Sequence, residues 1–250
     1  MDALSLRTAL SDFGCSYFYS ESGELALTHA LLVDSQVARA TGLFLPARHP
    51  KNLGEPSFRR DYGLVYAYAT GAMANGIASE RLVEEISAHG MIGFFGAAGL
   101  DVARVARAIA TLKASRRAKV YGFNLIHSPQ EPNVEHAVSD LYLKEGIRLV
   151  EASAYLKITL PLVRYRVVGI RREADGRIVA PNRVIAKASR TEVATQFFSP
   201  PPEAMLGELV QRGDISHDQA RWARQIPVAQ DVTAEADSGG HTDKIGRAHV

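Results

Sequence analysis

Six apolar runs in this sequence are each followed by residues able to bind or protonate a ligand. The exits are Gly71-Ala72-Met73, Gly96 to Gly99, Asn124 with His127, Glu151, Lys187, and Gly239-Gly240-His241. A glycine at position 71 lets backbone approach a flat ring with no Cβ in the way, with Met73 beside it. The plain alternative is a turn glycine and a core methionine. Asn124 interrupts Tyr121 to Ile126, where a buried amide needs partners or costs roughly 1–3 kcal/mol. Either a ligand or a loop carbonyl would satisfy it. Lys187 interrupts Val184 to Ala188 and could set a positive charge near an anionic cofactor, or pair with Glu151 or Glu235. Gly239-Gly240-His241 joins two side-chain-free positions to the commonest acid/base side chain, which titrates near neutrality; as an isolated tripeptide it also fits an ordinary loop. His29, His49, His89, His136, His217 and His249 fall in helices or loops with no constellation and are expected at the surface or in packing.

Bringing such scattered residues together requires a repeating scaffold. After Tyr62 short apolar runs alternate with helical segments, the pattern of βα units closing a parallel sheet. The runs are Leu64 to Thr70, Ile92 to Gly96, Val120 to Ile126, Ile147 to Ala152, Val184 to Ala188 and Gln230 to Ala236. Helices are predicted over Ser79 to His89, Asp101 to Lys113, Val134 to Lys144 and Leu160 to Val168, the third stopping at Gly146. A hairpin at Asp175-Gly176 precedes the fifth run, and Thr191 to Phe198 follows it. Glu203 to Arg212 and Ser216 to Ile226 form a helical insertion, the second opening on Ser216 and Gln219 in capping-box spacing; it could be a lid, a docking element or a packed surface insertion. Before the barrel pattern, a hairpin about Glu21 to Glu24, a strand at Leu43 to Leu45 and a Pro/Gly-rich stretch from Pro46 to Pro56 predict a small leading subdomain and linker.

The fold class expected is therefore α/β, a (β/α)8 barrel with about six of its eight units. Residues 1–60 make the leading subdomain and linker, 61–243 the partial barrel with its insertion at 200–227, and 244–250 a non-native tail. Ile-Gly-Arg-Ala-His-Val from 245 onward corresponds to one reading frame of a common DNA sequencing adapter.

Bulk properties exclude several classes of function. With 250 residues, 46% hydrophobic and 22% charged, the chain can bury a real core. Lys and Arg number 29 against 27 Asp and Glu, a net charge of +2 that provides no footprint for nucleic acid. Cys15 is alone, and no Cys/His spacing suggests a metal. No apolar run reaches the roughly 18 residues of a membrane span, and the first ten residues lack a secretory pattern, so the cytoplasm is expected. The sequence has no GxGxxG after a first strand, no GxSxG, no P-loop and no HExxH.

Longer strings carry a resemblance. Tyr66 to Ser79, Gly93 to Leu100, Phe123-Asn124-Leu125-Ile126-His127-Ser128-Pro129, Val150 to Ala154, Ile185 to Val193 and Glu235 to Asp243 resemble the trans-acting enoyl reductases of polyunsaturated fatty acid and polyketide synthases. The likeness runs from about Leu53 to Asp243. A wider similarity to nitronate monooxygenases and FMN-dependent enoyl-ACP reductases lies in the glycine-methionine turn, the asparagine after an apolar strand and the GGH element.

The resemblance implies FMN over the barrel mouth, reduced by NADPH or NADH, passing hydride to a 2-enoyl thioester on an acyl carrier protein. It implies His241 as proton donor or orienter, with Gly71, Ala72, Met73, Asn124, Glu151, Lys187, Gly239 and Gly240 around the flavin. Relatives bind the FMN phosphate with loops after the seventh and eighth strands. This chain stops short of both, so exposed strand edges and aggregation are expected, and activity is expected of the complete parent. Two other readings are a nitronate monooxygenase and a non-catalytic subunit that docks a carrier protein.

Overall fold

Continuous apolar runs such as Ile92-Gly93-Phe94-Phe95 suit a strand covered on both faces, which in parallel sheets means neighbours joined through helices. The computed structural model describes Ser11, the backbone of three early strands, and residues 49–234. The chain divides into two compact units, Met1–Tyr68 and Ala69–Val250.

In the first unit β1 (Ser16–Ser20) pairs antiparallel with β2 (Leu25–Thr28) and with β3 (Gly42–Leu45), in the order β2-β1-β3. The stretch read as linker ends in a helix, α1 (Pro56–Tyr62). Glu55 caps it by accepting from Ser57 N–H, Pro56 starts it without a lost bond, and Gly63 ends it at φ 68°. Each of these is a local signal.

The second unit carries six parallel strands. They are β4 (Ala69–Thr70), β5 (Ile92–Phe95), β6 (Tyr121–Ile126), β7 (Leu149–Ser153), β10 (Arg183–Ala188) and β11 (Asp231–Ala234), ordered β11-β10-β7-β6-β5-β4. Strands next to one another in this sheet are consecutive in the chain, apart from the intervening hairpin. A doubly wound sheet would reverse its order at a switch point; this one never does, so all crossovers lie on one face and the sheet curls as an incomplete (β/α)8 barrel.

The helices of those crossovers are α2 (Glu80–Ala88), α3 (Val102–Ala114), α4 (Pro132–Lys144), α5 (Leu160–Val167) and α6 (Thr191–Phe198). Ser79 and Asp101 cap the first two through their side chains. The hairpin β8 (Arg171–Arg172) with β9 (Ile178–Val179) turns at Gly176, φ 86°. Helices α7 (Glu203–Gln211) and α8 (His217–Ala223) bury Leu206, Leu209, Ala220 and Ala223 in the core. The insertion is thus packed, and α8 opens on the complete Ser216/Gln219 capping box.

Strand alternation separates two sets of side chains. Phe95, Phe123, Leu125, Val150, Ala152, Val184 and Ala186 join the helices in the main core. Asn124, Glu151 and Lys187 occupy the intervening positions, on the concave side. Tyr142 of α4 lies 5.5 Å from the Phe123 ring and donates its hydroxyl to the Asn124 carbonyl at 2.7 Å. Burial holds that phenol well above its usual pKa, so it stays a donor.

Two predicted elements are shorter than expected. Of Leu64 to Thr70, among the described residues the last two pair, Ala69 with Ile92 and Thr70 with Gly93, and the run begins directly after the left-handed end of α1 at Gly63. The second insertion helix stops at Ala223 rather than Ile226, where Pro227 removes a donor and disfavours helical geometry before it. Among the described residues no helix is long and apolar enough to cross a membrane.

Candidate functional site at the barrel mouth

Register decides which predicted residues meet. Asn124 of β6 stands opposite Glu151 of β7, and Glu151 opposite Ile185 of β10, two residues before Lys187. Glu151 is 4% exposed, and its Oε2 accepts the Ala72 amide at 2.8 Å. A Cβ added at Gly71 would lie 3.5 Å from Glu151 Oε1 and 3.7 Å from Lys187 Nζ. Gly71, Ala72, Asn124, Glu151 and Lys187 therefore share one place at the C-terminal ends of three neighbouring strands and of β4.

Asn124, 5% exposed, donates Nδ2 to the Glu151 carbonyl at 3.2 Å and to Ser153 Oγ at 3.0 Å. Both amide hydrogens are used. That leaves Oδ1 as the acceptor this amide can offer.

Met73 is not the core methionine that one reading of the sequence allowed: it is 42% exposed. Its carbonyl accepts from Ala78 N–H, and the loop is strapped to the next one by Gly76 N–H to Gly96 O at 2.9 Å and Asn75 N–H to Ala98 O at 2.8 Å. Gly96 must lack a side chain, because a Cβ there would sit 1.6 Å from the Met73 carbonyl oxygen. Gly239, Gly240, His241, Glu235 and the 244–250 tail lie outside the described residues.

The sequence singled out His127 beside Asn124 at this strand exit but missed the cluster of partners around it. Glu135, in the first turn of α4, is 4% exposed, yet the sequence offers it only as an ordinary acidic residue near a helix N-terminus. Its Oε2 lies 2.9 Å from His127 Nδ1; its Oε1 accepts from the Tyr155 hydroxyl at 2.9 Å and from the Thr159 hydroxyl. The Tyr155 and His127 rings stack at 5.5 Å. Burial first, and the Glu135 charge second, push the Tyr155 phenol well above its usual pKa. A histidine eight residues before a helical glutamate was the only available signal.

A curled parallel sheet whose strand ends bring together a glycine turn, a buried amide, a carboxylate and an ammonium belongs to the (β/α)-barrel class. No protein-family model matches the chain. It is 46% identical over 192 residues to a polyunsaturated fatty acid synthase component of Thraustochytrium sp., covering 77% of this chain and 13% of that protein. It is 44% identical over 194 residues to the polyketide biosynthesis protein PksE of Bacillus subtilis, covering 77% of this chain and 25% of that protein. The enoyl reductase domain of MlnA, from the macrolactin cluster of Bacillus amyloliquefaciens, matches with a TM-score of 0.71 at 40% identity, over 74% of this chain and 43% of that chain. The chain spans 13% to 25% of the length of these two curated relatives. It is a homologue of these polyunsaturated fatty acid and polyketide synthase proteins and of the MlnA enoyl reductase domain.

Proposed function

We propose that this chain forms the flavin-binding part of a cytoplasmic enoyl reductase that acts in trans on 2-enoyl thioesters carried by an acyl carrier protein. The observation that carries the reading is the 40% identical likeness to an enoyl reductase domain. The donor set at the mouth fits FMN. The Lys187 ammonium would balance the negative charge that the ring system gains on reduction, and Asn124 Oδ1 would accept a ring N–H. Gly71 leaves room for a flat ring to come close. When bound and reduced by NADPH or NADH, FMN supplies hydride to the β-carbon of the enoyl group. Position and electrostatics are the protein's contribution. His241, with Gly239 and Gly240, enters this reading through the family resemblance, as proton donor or orienter.

Titrating the purified protein with FMN, then adding NADPH and a crotonyl carrier protein, tests the proposal. Expected are a bound flavin spectrum, nicotinamide oxidation and a saturated acyl product. A protein that stays colourless overturns it. Oxygen uptake with a nitronate would make it a monooxygenase instead, and carrier binding without turnover a docking subunit.

A further inference from the structure

Two features beside Glu135 depart from ordinary local geometry. Thr159 stands at the N-cap of α5 but makes no side-chain cap bond, directing its hydroxyl to the Glu135 carboxylate instead. Ala154, between Ser153 and Tyr155, adopts φ 63°, a left-handed conformation that residues with a Cβ seldom take. That bend lies between the serine bonded to Asn124 and the tyrosine bonded to Glu135. Backbone strain of this kind concentrates where geometry serves function.

The His127 backbone is tied to the same framework. His127 N–H donates to the Ser153 carbonyl at 3.1 Å, so Ser153 holds both Asn124, inside the mouth, and His127, on its rim. The His127 side chain remains 23% exposed, whereas Glu135 and Tyr155 are buried. With Nδ1 directed at a buried carboxylate, Nε2 is the ring nitrogen that can meet another partner.

A carboxylate fixing Nδ1–H leaves Nε2 as the atom that takes or releases a proton, and stabilises the imidazolium formed. Glu135 does this with its own charge otherwise met only by two hydroxyl donors among its hydrogen bonds. The groups facing His127 are therefore Glu135 from α4 and Tyr155 from the loop after β7, and the phenol stays protonated.

We propose that His127 exchanges a proton with the bound acyl thioester at Nε2, with Glu135 as its positioning residue, which leaves to His241 the orienting role of the two that the resemblance implies. This rests on the enoyl reductase reading. Reduction of the enoyl group needs a hydride at the β-carbon, which bound FMN would supply, and a proton at the α-carbon. The donor is the imidazolium: its Nε2–H bond breaks with the electron pair kept by nitrogen, leaving the neutral ring with its proton on Nδ1, the π pair of the alkene forms the new α-carbon–hydrogen bond, and solvent reprotonates Nε2.

The test begins with the protein and crotonyl-pantetheine as probe, without activity. Diethyl pyrocarbonate should modify His127, mapped by mass spectrometry, and the probe should slow that modification about tenfold. In 15N spectra of histidine-labelled protein, the His127 ring should carry its proton on Nδ1, and Glu135→Gln should move that signature. In the flavin-loaded enzyme, His127→Gln should lower kcat about 100-fold with KM unchanged. Modification indifferent to the probe, or a folded His127→Gln variant with kcat within about threefold of the parent, overturns the proposal. If Glu135→Gln fails to fold, the protection and His127→Gln measurements still decide it. Failure to bind flavin would sink the enoyl reductase reading, whereas loss of probe protection in a flavin-binding protein sinks only the His127 proposal.

Discussion

A methyl group placed on Gly96 would occupy the space of the Met73 carbonyl oxygen, 1.6 Å away, whereas one on Gly71 would make ordinary contacts with Glu151 and Lys187. These two strand-exit glycines therefore do different work. Gly96→Ala should destabilise the protein by more than about 2 kcal/mol in urea unfolding, since backbone must move. Gly71→Ala should change stability by less than about 1 kcal/mol but weaken FMN binding by filling the mouth. Lys187→Met should lower FMN affinity about tenfold, some 1.4 kcal/mol, in a fluorescence titration. Equal affinity for parent and variant would remove Lys187 from the flavin site.

At the scale of elements, α2 is joined to α3 by Arg104, which grips both oxygens of Glu80, with Nη2 to Oε2 at 3.0 Å, and lies 5.2 Å above the Phe95 ring. The guanidinium hydrogen bonds hold the Glu80 carboxyl below its usual value near 4.5. A depressed carboxylate pKa stabilises the fold above the unfolded value and loses that contribution as pH falls through the folded one. Parent and Glu80→Gln should therefore differ by about 0.5–1 kcal/mol at pH 7, the range for solvent-screened pairs, and converge as pH falls through the lowered pKa of the folded carboxyl. A difference unchanged at acid pH would contradict the assignment. Elements were also where sequence was most informative. The Ser79 and Asp101 caps, the Gly146 stop, the Asp175-Gly176 turn and the Ser216 capping box act within four residues, so a short window contains the whole signal. Helix α1 had the same kind of signals, Pro56 and Gly63, inside a stretch whose composition suggested a linker.

Across the whole sheet, β6 and β7 are flanked on both sides and buried, while β4 and β11 are the outermost strands among the described residues. Amides of Phe123 to Leu125 and Val150 to Ala152 should exchange most slowly with deuterium, and those of Ala69, Thr70 and Val232 to Ala234 at least about a hundredfold faster, following local opening at the edges. Uniform protection would mean that the outer strands are covered.

The alternation of apolar runs with capped helices determined a singly wound parallel sheet without further help, because periodicity and capping are properties of neighbouring residues. Long strings shared with enoyl reductases pointed to the mouth residues as candidates. Tertiary structure decided the rest. That Ala72 meets Glu151, 79 positions away in the chain, follows from strand register, and register is set by packing between elements. That Met73 is exposed while Glu135 is buried could not be read from either residue's surroundings in sequence. Burial belongs to the assembled barrel, where a first-turn glutamate on α4 finds an imidazole, a phenol and a hydroxyl brought to it by β6, the loop after β7 and the start of α5.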